Sequence, residues 1–500
     1  MRVGDAPPAA TNGRCCGFGQ RHIVALLAHL GLFVVYVRPN QVLRVIVSVA
    51  VVPMAQEFGW SPDEKGWVLS AFFFGYITLQ LGGGYLSVRY GPKLVLALGV
   101  LVPAVLTALT PVVAGNFPLL IAVRVLTGVG EAVSYPALHS LMGAWSPLEG
   151  ELAASGMERQ DEPRMGGSLG SRPHLSSARG SSGAYLGTTF AFPIAGALVT
   201  SSFGWPLVYY VSSAAAALWL VPWWLLVSDR PRDDPRISEE ERDLIVSSLP
   251  TAFDGTEPVP WRKIVGTPAI WGVVCGHVAN NWLFYTLLTW LPDYLKYELG
   301  FDLKASGGLA VLPYIGCFLG STLSGRAADW LIHRRGWRVV TTRRVFQGIF
   351  EVLAGLALVL AGYTTNAAVA VALVTVSVTL VGVASAGGYA PNILDLAPYF
   401  GGIVLGFSNT MGTLPGIISP LLTGYIVTSD VRSPETVAEW RTVFWIGLSI
   451  AVVGNGVFVL LAKGDKIEGL QGPDEPADEG GPGMALAERL VGDGCSSVEE

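Results

Sequence analysis

Arg124, Glu131 and His139 all lie inside one mostly apolar run, residues 117–142, FPLLIAVRVLTGVGEAVSYPALHSLM. The run is long enough to cross a bilayer, because a helix spans the ~30 Å hydrocarbon layer in about 20 residues. An ionised group at that depth costs about 2.5–3.5 kcal/mol even on lenient insertion scales, so it turns toward a partner or a watery cavity and away from lipid. A guanidinium in such a place can replace the hydration shell of a carboxylate or phosphate. A buried carboxyl moves into a titratable range and can carry a proton or sodium, and an imidazole titrates near neutrality. Arg124 and Glu131 share a helix face but are about 10 Å apart along the axis, too far to pair as i,i+4 neighbours. Their partners are therefore expected on other helices or on a ligand, which makes this run the expected lining of a polar pathway.

The elements that must position these groups are helices. The 500-residue chain is 51% hydrophobic and 14% charged, with 15 Trp, and its mean hydropathy of +0.49 is that of a polytopic membrane protein. Twelve apolar runs of spanning length lie near residues 22–53, 66–86, 94–113, 117–142, 182–203, 205–227, 268–292, 306–327, 342–362, 367–388, 401–428 and 440–462. The fold expected is an all-α membrane protein with twelve transmembrane helices in two six-helix bundles, 22–227 and 268–462. A polar linker, 228–267, joins them, with a tail over 1–21 and an acidic tail over 463–500. Residues 152–182 are rich in Gly, Ser and Arg, and 153–181 read as a disordered insertion. It displaces apolar residues that should begin the fifth helix, as a retained intron or gene-model error would; the alternative is a tolerated insertion. RPNQ at Arg38 raises the same question inside the first run.

Loop charge sets the expected orientation, because Lys and Arg stay on the cytoplasmic side. Arg89 and Lys93 follow the second run, and Arg326, Arg334, Arg335, Arg338, Arg343 and Arg344 surround the turn after the eighth. Both termini are then cytoplasmic. GGGYLSVRYGPK from Gly82 and GSTLSGRAADWLIHRRG from Gly320 occupy matching places in the two halves, an internal parallel repeat. The five cysteines form no metal or disulfide pattern, so no metal and no cofactor are expected. The −6 net charge is concentrated in the tail and two loops and gives no reason to expect nucleic acid as a partner. Cys15 and Cys16 are either plain thiols or palmitoylation sites.

Taken together, these stretches resemble the major facilitator superfamily, and within it the anion/cation symporter branch that includes vesicular glutamate transporters, sialin and sodium- or proton-coupled phosphate transporters. The resemblance is carried by LRVIVSVAVVPM from Leu43, GWSPDEKGWVLSAFFFGYITLQLGGGYL from Gly59, RVLTGVGEAVSYPALHSLMGAWSPLE from Arg124 and GAYLGTTFAFPIAGAL from Gly183. NNWLFYTLLTWLPDYL from Asn280, GRAADWL from Gly325, NILDLAP from Asn392 and GFSNTMGTLPGIISPLLTGYI from Gly406 continue it through the second half. The resemblance implies alternating access of two bundles around a midplane site, with a small anionic substrate and a coupling proton or sodium. It implies Arg44, Arg124 and Asn281 as substrate-binding, Glu131 and His139 as ion-coupling, and Asn392 and Asp395 as a cytoplasmic gate.

Each role has a plainer alternative: a structural ion pair for either arginine, a permanent counter-ion for Glu131, packing for His139, and helix capping for Asn392 and Asp395. His277 is a weaker proton candidate, and Pro415 is expected to kink the eleventh helix. The sequence departs from the branch pattern at Ile46, where asparagine is common, and over Asn392–Asp395, where NHxD is common. At Asn280 it also lacks the basic residue of vesicular glutamate transporters. The rival classes are a non-transporting anion sensor on the same fold and a membrane-embedded enzyme; the sequence has no nucleophile elbow, phosphate loop or metal cluster that would favour the enzyme.

Overall fold

A computed structural model describes residues 39–145, 174–237, 239, 242, 243 and 258–470. The expected N-terminal tail, the start of the first run, most of the 153–181 insertion, much of the linker, the acidic tail beyond 470, and Cys15 and Cys16 lie outside the described residues.

Within them every apolar run is mainly helical, several of them as a pair of helices with a short break. The first half contains α1 (Pro39–Phe58), α2 (Pro62–Tyr76), α3 (Gln80–Tyr90), α4 (Pro92–Val113), α5 (Phe117–Ala132), α6 (Ser134–Trp145), α7 (His174–Val199) and α8 (Pro206–Leu226). The second half contains α9 (Trp261–Gly266), α10 (Pro268–Asp293), α11 (Leu303–Leu309), α12 (Val311–Arg335), α13 (Val339–Tyr363) and α14 (Ala367–Gly387). It ends with α15 (Tyr389–Leu396), α16 (Gly401–Gly412), α17 (Leu414–Ile426) and α18 (Pro434–Leu461).

Local chemistry sets these boundaries. Proline stands in the first turn of α2, α4, α5, α8, α10, α17 and α18, where its missing N–H costs nothing. The Asn116 side chain accepts from Leu119 N at 3.2 Å and caps α5. Gly336, with φ of 68°, closes α12 in the left-handed conformation that glycine adopts without strain. α7 begins at His174, inside the segment whose composition reads as disorder. No proline interrupts residues 174–192, so a helix through the apolar stretch that follows propagates back at one hydrogen bond per residue.

By length and composition, eight helices or joined helix pairs among the described residues are long and apolar enough to span a membrane. The remaining runs fall short for visible reasons. The second is split between α2 and α3, where the Thr78 hydroxyl takes Gly75 O at 2.7 Å, and the eleventh is split at Thr413. The seventh, α10, carries His277, Asn280, Asn281 and Asp293 among its buried residues. The fifth has only Gly187–Val199 as a shorter apolar stretch. Pro415 lies in the first turn of α17, so the eleventh run has a break two residues before the proline where a kink at the proline was expected.

Close contacts within and between halves define a seam. In the first half α2 lies directly on α5: a Cβ at Gly75 would stand 1.8 Å from Val125 O, and one at Gly128 would stand 1.9 Å from Phe72 O. Across the halves, α1 packs on α10, α2 on α17, α7 on α12 and α3 on α16. The buried cluster along this seam joins Val47, Phe72, Phe73 and Phe192 of the first half to Leu283, Tyr285 and Tyr314 of the second. Outward faces carry exposed apolar side chains such as Leu218, Leu225, Leu323 and Leu460, as lipid contact requires.

Candidate functional site

α1 and α5 bring together two groups of the first half. Arg44 of α1 is buried, and its Nη2 donates to Oε1 of Glu131 on α5 in a short ion pair. The aromatic run of α2 covers the same guanidinium, which lies 4.8 Å from the Phe72 ring centroid and 4.4 Å from that of Tyr76. The Phe73 centroid is 5.9 Å away, and Phe73 itself packs edge-on against Tyr285 of α10 at 4.7 Å, so the pair sits against the seam between the halves.

Arg124 is also buried, with 3% of its surface exposed. It makes no hydrogen bond or ion pair to any described residue, and its Nε is a buried donor without an acceptor. Its guanidinium lies 5.5 Å from the same Phe72 ring that faces Arg44, so one aromatic ring contacts both cations. Contacts of this kind are worth about 0.5–2 kcal/mol, whereas withdrawing a charge from water costs several. The ring therefore does not compensate Arg124. Among the described residues the first half thus holds two arginines and one acid at its centre, with the acid ion-paired to Arg44.

In the second half the central polar groups are of another kind. Glu351 of α13 is fully buried; its Oε2 accepts from Asn280 Nδ2 of α10 at 2.7 Å, and the same amide donates to Val381 O of α14 at 3.0 Å. Asn281, the next residue on α10, donates from Nδ2 to Gly412 O at 2.6 Å and holds the backbone where α16 gives way to α17. His277, one turn earlier, bonds Ser408 Oγ at 2.9 Å and stacks on Tyr389, with centroids 4.4 Å apart.

The family model described as Major Facilitator Superfamily matches residues 39–420. Human (Homo sapiens) sialin is 35% identical to this chain over 494 residues, covering 92% of each. The chloroplastic ascorbate transporter of Arabidopsis thaliana is 32% identical over 425 residues, covering 85% of this chain and 72% of its own. The chain belongs to the major facilitator superfamily, in its anion/cation symporter branch. Solved structures agree at the level of fold. A bacterial homologue of the lysosomal transporter Spinster, inward-facing and occupied, aligns with a TM-score of 0.63 at 16% identity, over 89% of this chain and 97% of its own. A D-xylose–proton symporter gives 0.61 at 14%, over 89% and 99%.

As a member of this superfamily the protein is an integral membrane transporter of two helical halves and not an enzyme, and its remaining polar groups are read at the two ends of the seam. At the end away from the arginine-rich turns, Lys65 of α2 is fully buried and reaches across to the second half. Its Nζ donates to Asp293 at the end of α10 at 2.7 Å and to Asp430 beyond α17 at 2.6 Å. Deeper in the molecule, toward the other end, Asn409 of α16 donates to Gln80 of α3 at 2.6 Å.

Asn392 and Asp395 lie on α15, a separate short helix after the tenth run, at the arginine-rich end. Asp395 accepts from Arg343 Nε at 2.8 Å, and Asn392 donates to Lys463 O at 2.8 Å. Both partners belong to the second half, and neither residue caps α15, whose flanking positions are Gly388 and Ala397. His139 lies on α6, beyond the break at Val133, with the Tyr135 ring 4.5 Å away.

Motif reading missed Lys65, Asp293 and Asp430, because their meeting depends on three distant helix ends. It also missed Glu351, although the lone acid of the 342–362 run was a visible signal.

Proposed function

We propose that this protein is a secondary active transporter that moves a small inorganic or organic anion, a phosphate or a carboxylate, by alternating access of its two halves. The observation that carries this reading is Arg124: a buried cation at the centre of the first half, with no carboxylate at ion-pair distance among the described residues. A permanent charge there needs an anion, and a planar guanidinium suits carboxylate and phosphate alike. Relatives point the same way, among them an ascorbate transporter and a sodium-dependent phosphate transport protein of A. thaliana.

Arg124 is the primary anion ligand in this mechanism. Arg44, across the shared Phe72 ring, is released to the substrate when Glu131 is neutralised by a coupling proton or sodium. Charge competition then links the two ligands: the ion that occupies Glu131 frees a second guanidinium for the anion. His139 lies about 12 Å from Glu131 toward the arginine-rich end, where it passes protons between that end and the centre. Asn281 supports the substrate site by fixing the α16–α17 break beside it.

By loop charge the arginine-rich end and both termini are cytoplasmic. Lys65 with Asp293 and Asp430 forms the gate on the other side. On the cytoplasmic side, Asn392 and Asp395 act by stiffening α15 against Arg343 and Lys463, so their part in gating is within the second half.

The reading is tested by uptake into proteoliposomes of labelled phosphate, ascorbate, glutamate and sialic acid under separately imposed proton, sodium and voltage gradients. Gradient-dependent accumulation of one anion, lost in Arg124→Ala, is the expected result. Saturable binding without uptake would replace the transporter reading with an anion sensor.

A further inference from the structure

Arg343, Gln347 and Glu351 follow one another at i, i+4 and i+8 on α13, so they form one stripe on one face, rising about 12 Å from the arginine-rich end. All three are buried, with exposures of 1%, 0% and 0%. The first two are fully engaged. Arg343 pairs with Asp395 and donates to Gly387 O, while Gln347 donates to Asn455 Oδ1 at 2.8 Å and accepts from Tyr389 N at 3.2 Å.

Glu351 ends the stripe twelve residues from either end of the helix, at mid-membrane. Its Oε2 has the Asn280 amide, but its Oε1 is buried with no partner, and no Lys, Arg or His among the described residues pairs with it. Ser377 of α14, one turn before Val381, adds a second buried oxygen without a partner on that helix.

Among the described residues the surroundings supply no compensating charge. α14 has no ionisable residue between Ala367 and Gly387, and α18 has none between Thr442 and Leu461. The facing part of α10 offers His277, occupied by Ser408 and Tyr389, and α15 offers Asp395, which is held by Arg343 at the end of the stripe. On α12 Arg326, Asp329, His333, Arg334 and Arg335 lie toward the arginine-rich end and Tyr314 toward the other, while the buried thiol of Cys317 packs against Gly382 of α14 and brings no positive charge. An ionised carboxylate with one amide and no cation would bear a desolvation cost of several kcal/mol, against about 1.5–3 for one hydrogen bond to a charged group. The neutral acid avoids that cost and keeps the amide bond.

We propose that Glu351 is a proton-binding site in the second half, distinct from the Arg44–Glu131 pair. It holds its proton on Oε1 at mid-membrane and exchanges it along the polar stripe when the arginine-rich end opens. This rests on the transporter reading for its use in coupling, but not for the protonation itself. The second half then carries a proton of its own, beside the anion and the coupling ion assigned to the first.

The test is infrared difference spectroscopy of the purified full chain in lipid nanodiscs, which separates the C=O stretch of a protonated carboxyl from that of a carboxylate without any transported substrate. The expected result is a buried carboxylic-acid band at neutral pH that bleaches at alkaline pH, is absent in Glu351→Gln and is retained in Glu131→Gln. Glu351→Asp should keep the band at a shifted frequency, which guards against a Gln variant that fails to fold. A band that survives Glu351→Gln, or no band at neutral pH, would overturn the proposal. So would removal of the band by sodium at fixed pH, which would make the site a sodium site. Because no uptake is measured, silence of every tested anion in proteoliposomes and failure of this assignment are separate outcomes.

Discussion

Glu131 of the first half and Glu351 of the second are both buried carboxyls on helices, yet Glu131 meets the guanidinium of Arg44 while Glu351 meets only the amide of Asn280. The same side chain is thus expected in two ionisation states within one chain: a carboxylate where a fixed cation stands opposite, and an acid where none does. The partner decides, not the depth. It also divides labour between the halves, because the acid that neutralises Arg44 leaves Arg124 for a ligand, whereas among the described residues the second half has no spare cation beside Glu351.

That contrast can be broken at four places. The largest effect is expected from Arg124→Ala, which removes the cation without an ion-pair partner; loss of a charged hydrogen-bonding group of about 1.5–3 kcal/mol corresponds to roughly 10- to 150-fold in anion binding. Arg124→Lys should recover only part, since an ammonium lacks the planar fork. Phosphate or carboxylate protection against thermal unfolding, compared across the three proteins, reads this directly.

Next is Glu131→Gln. Breaking a buried ion pair by deleting one partner costs about 3–5 kcal/mol, because the remaining charge is stranded. A lower unfolding temperature is expected in ligand-free protein, with part of the loss returned by added anion, which would satisfy both arginines. Glu351→Gln makes the matching comparison and should change stability by less than about 1 kcal/mol, since an amide replaces a neutral acid of the same shape and still accepts from Asn280. Equal destabilisation by the two variants would dissolve the distinction between the halves.

A smaller effect is expected where the halves are tied together. Lys65→Met leaves Asp293 and Asp430 facing each other without their shared cation, so the end away from the arginine-rich turns should open more often. A cysteine placed at Ser70, whose hydroxyl bonds Ile417 O across the α2–α17 seam, should then react about tenfold faster with an impermeant thiol reagent. Asp430→Asn should do less, because Asp430 is 30% exposed and exposed pairs are worth about 0–1 kcal/mol.

The helices were legible because bilayer crossing demands long apolar runs, and all twelve coincide with helix where the residues are described. Arg124, Glu131 and Arg44 were legible as charges out of place. Which arginine takes the acid was not, because Arg44 and Glu131 are 87 residues apart and their meeting depends on how α1 lies on the first bundle. Likewise Glu351 stands out in its run, but its character is set by Asn280, 71 residues away, and by the absence of charge on α14 and the inner part of α18. The break at Thr413 was masked by Pro415, which announces a kink but sits in the first turn of α17, where proline is accommodated.

The most direct measurement of the central claim is accumulation of the labelled anion panel in proteoliposomes, wild type beside Arg124→Ala, under imposed ion gradients. The account predicts that at least one anion is concentrated above its equilibrium level by the wild type, and that Arg124→Ala loses this while remaining folded and membrane-inserted. Undiminished anion uptake in the variant, or transport confined to neutral or cationic solutes, would contradict it.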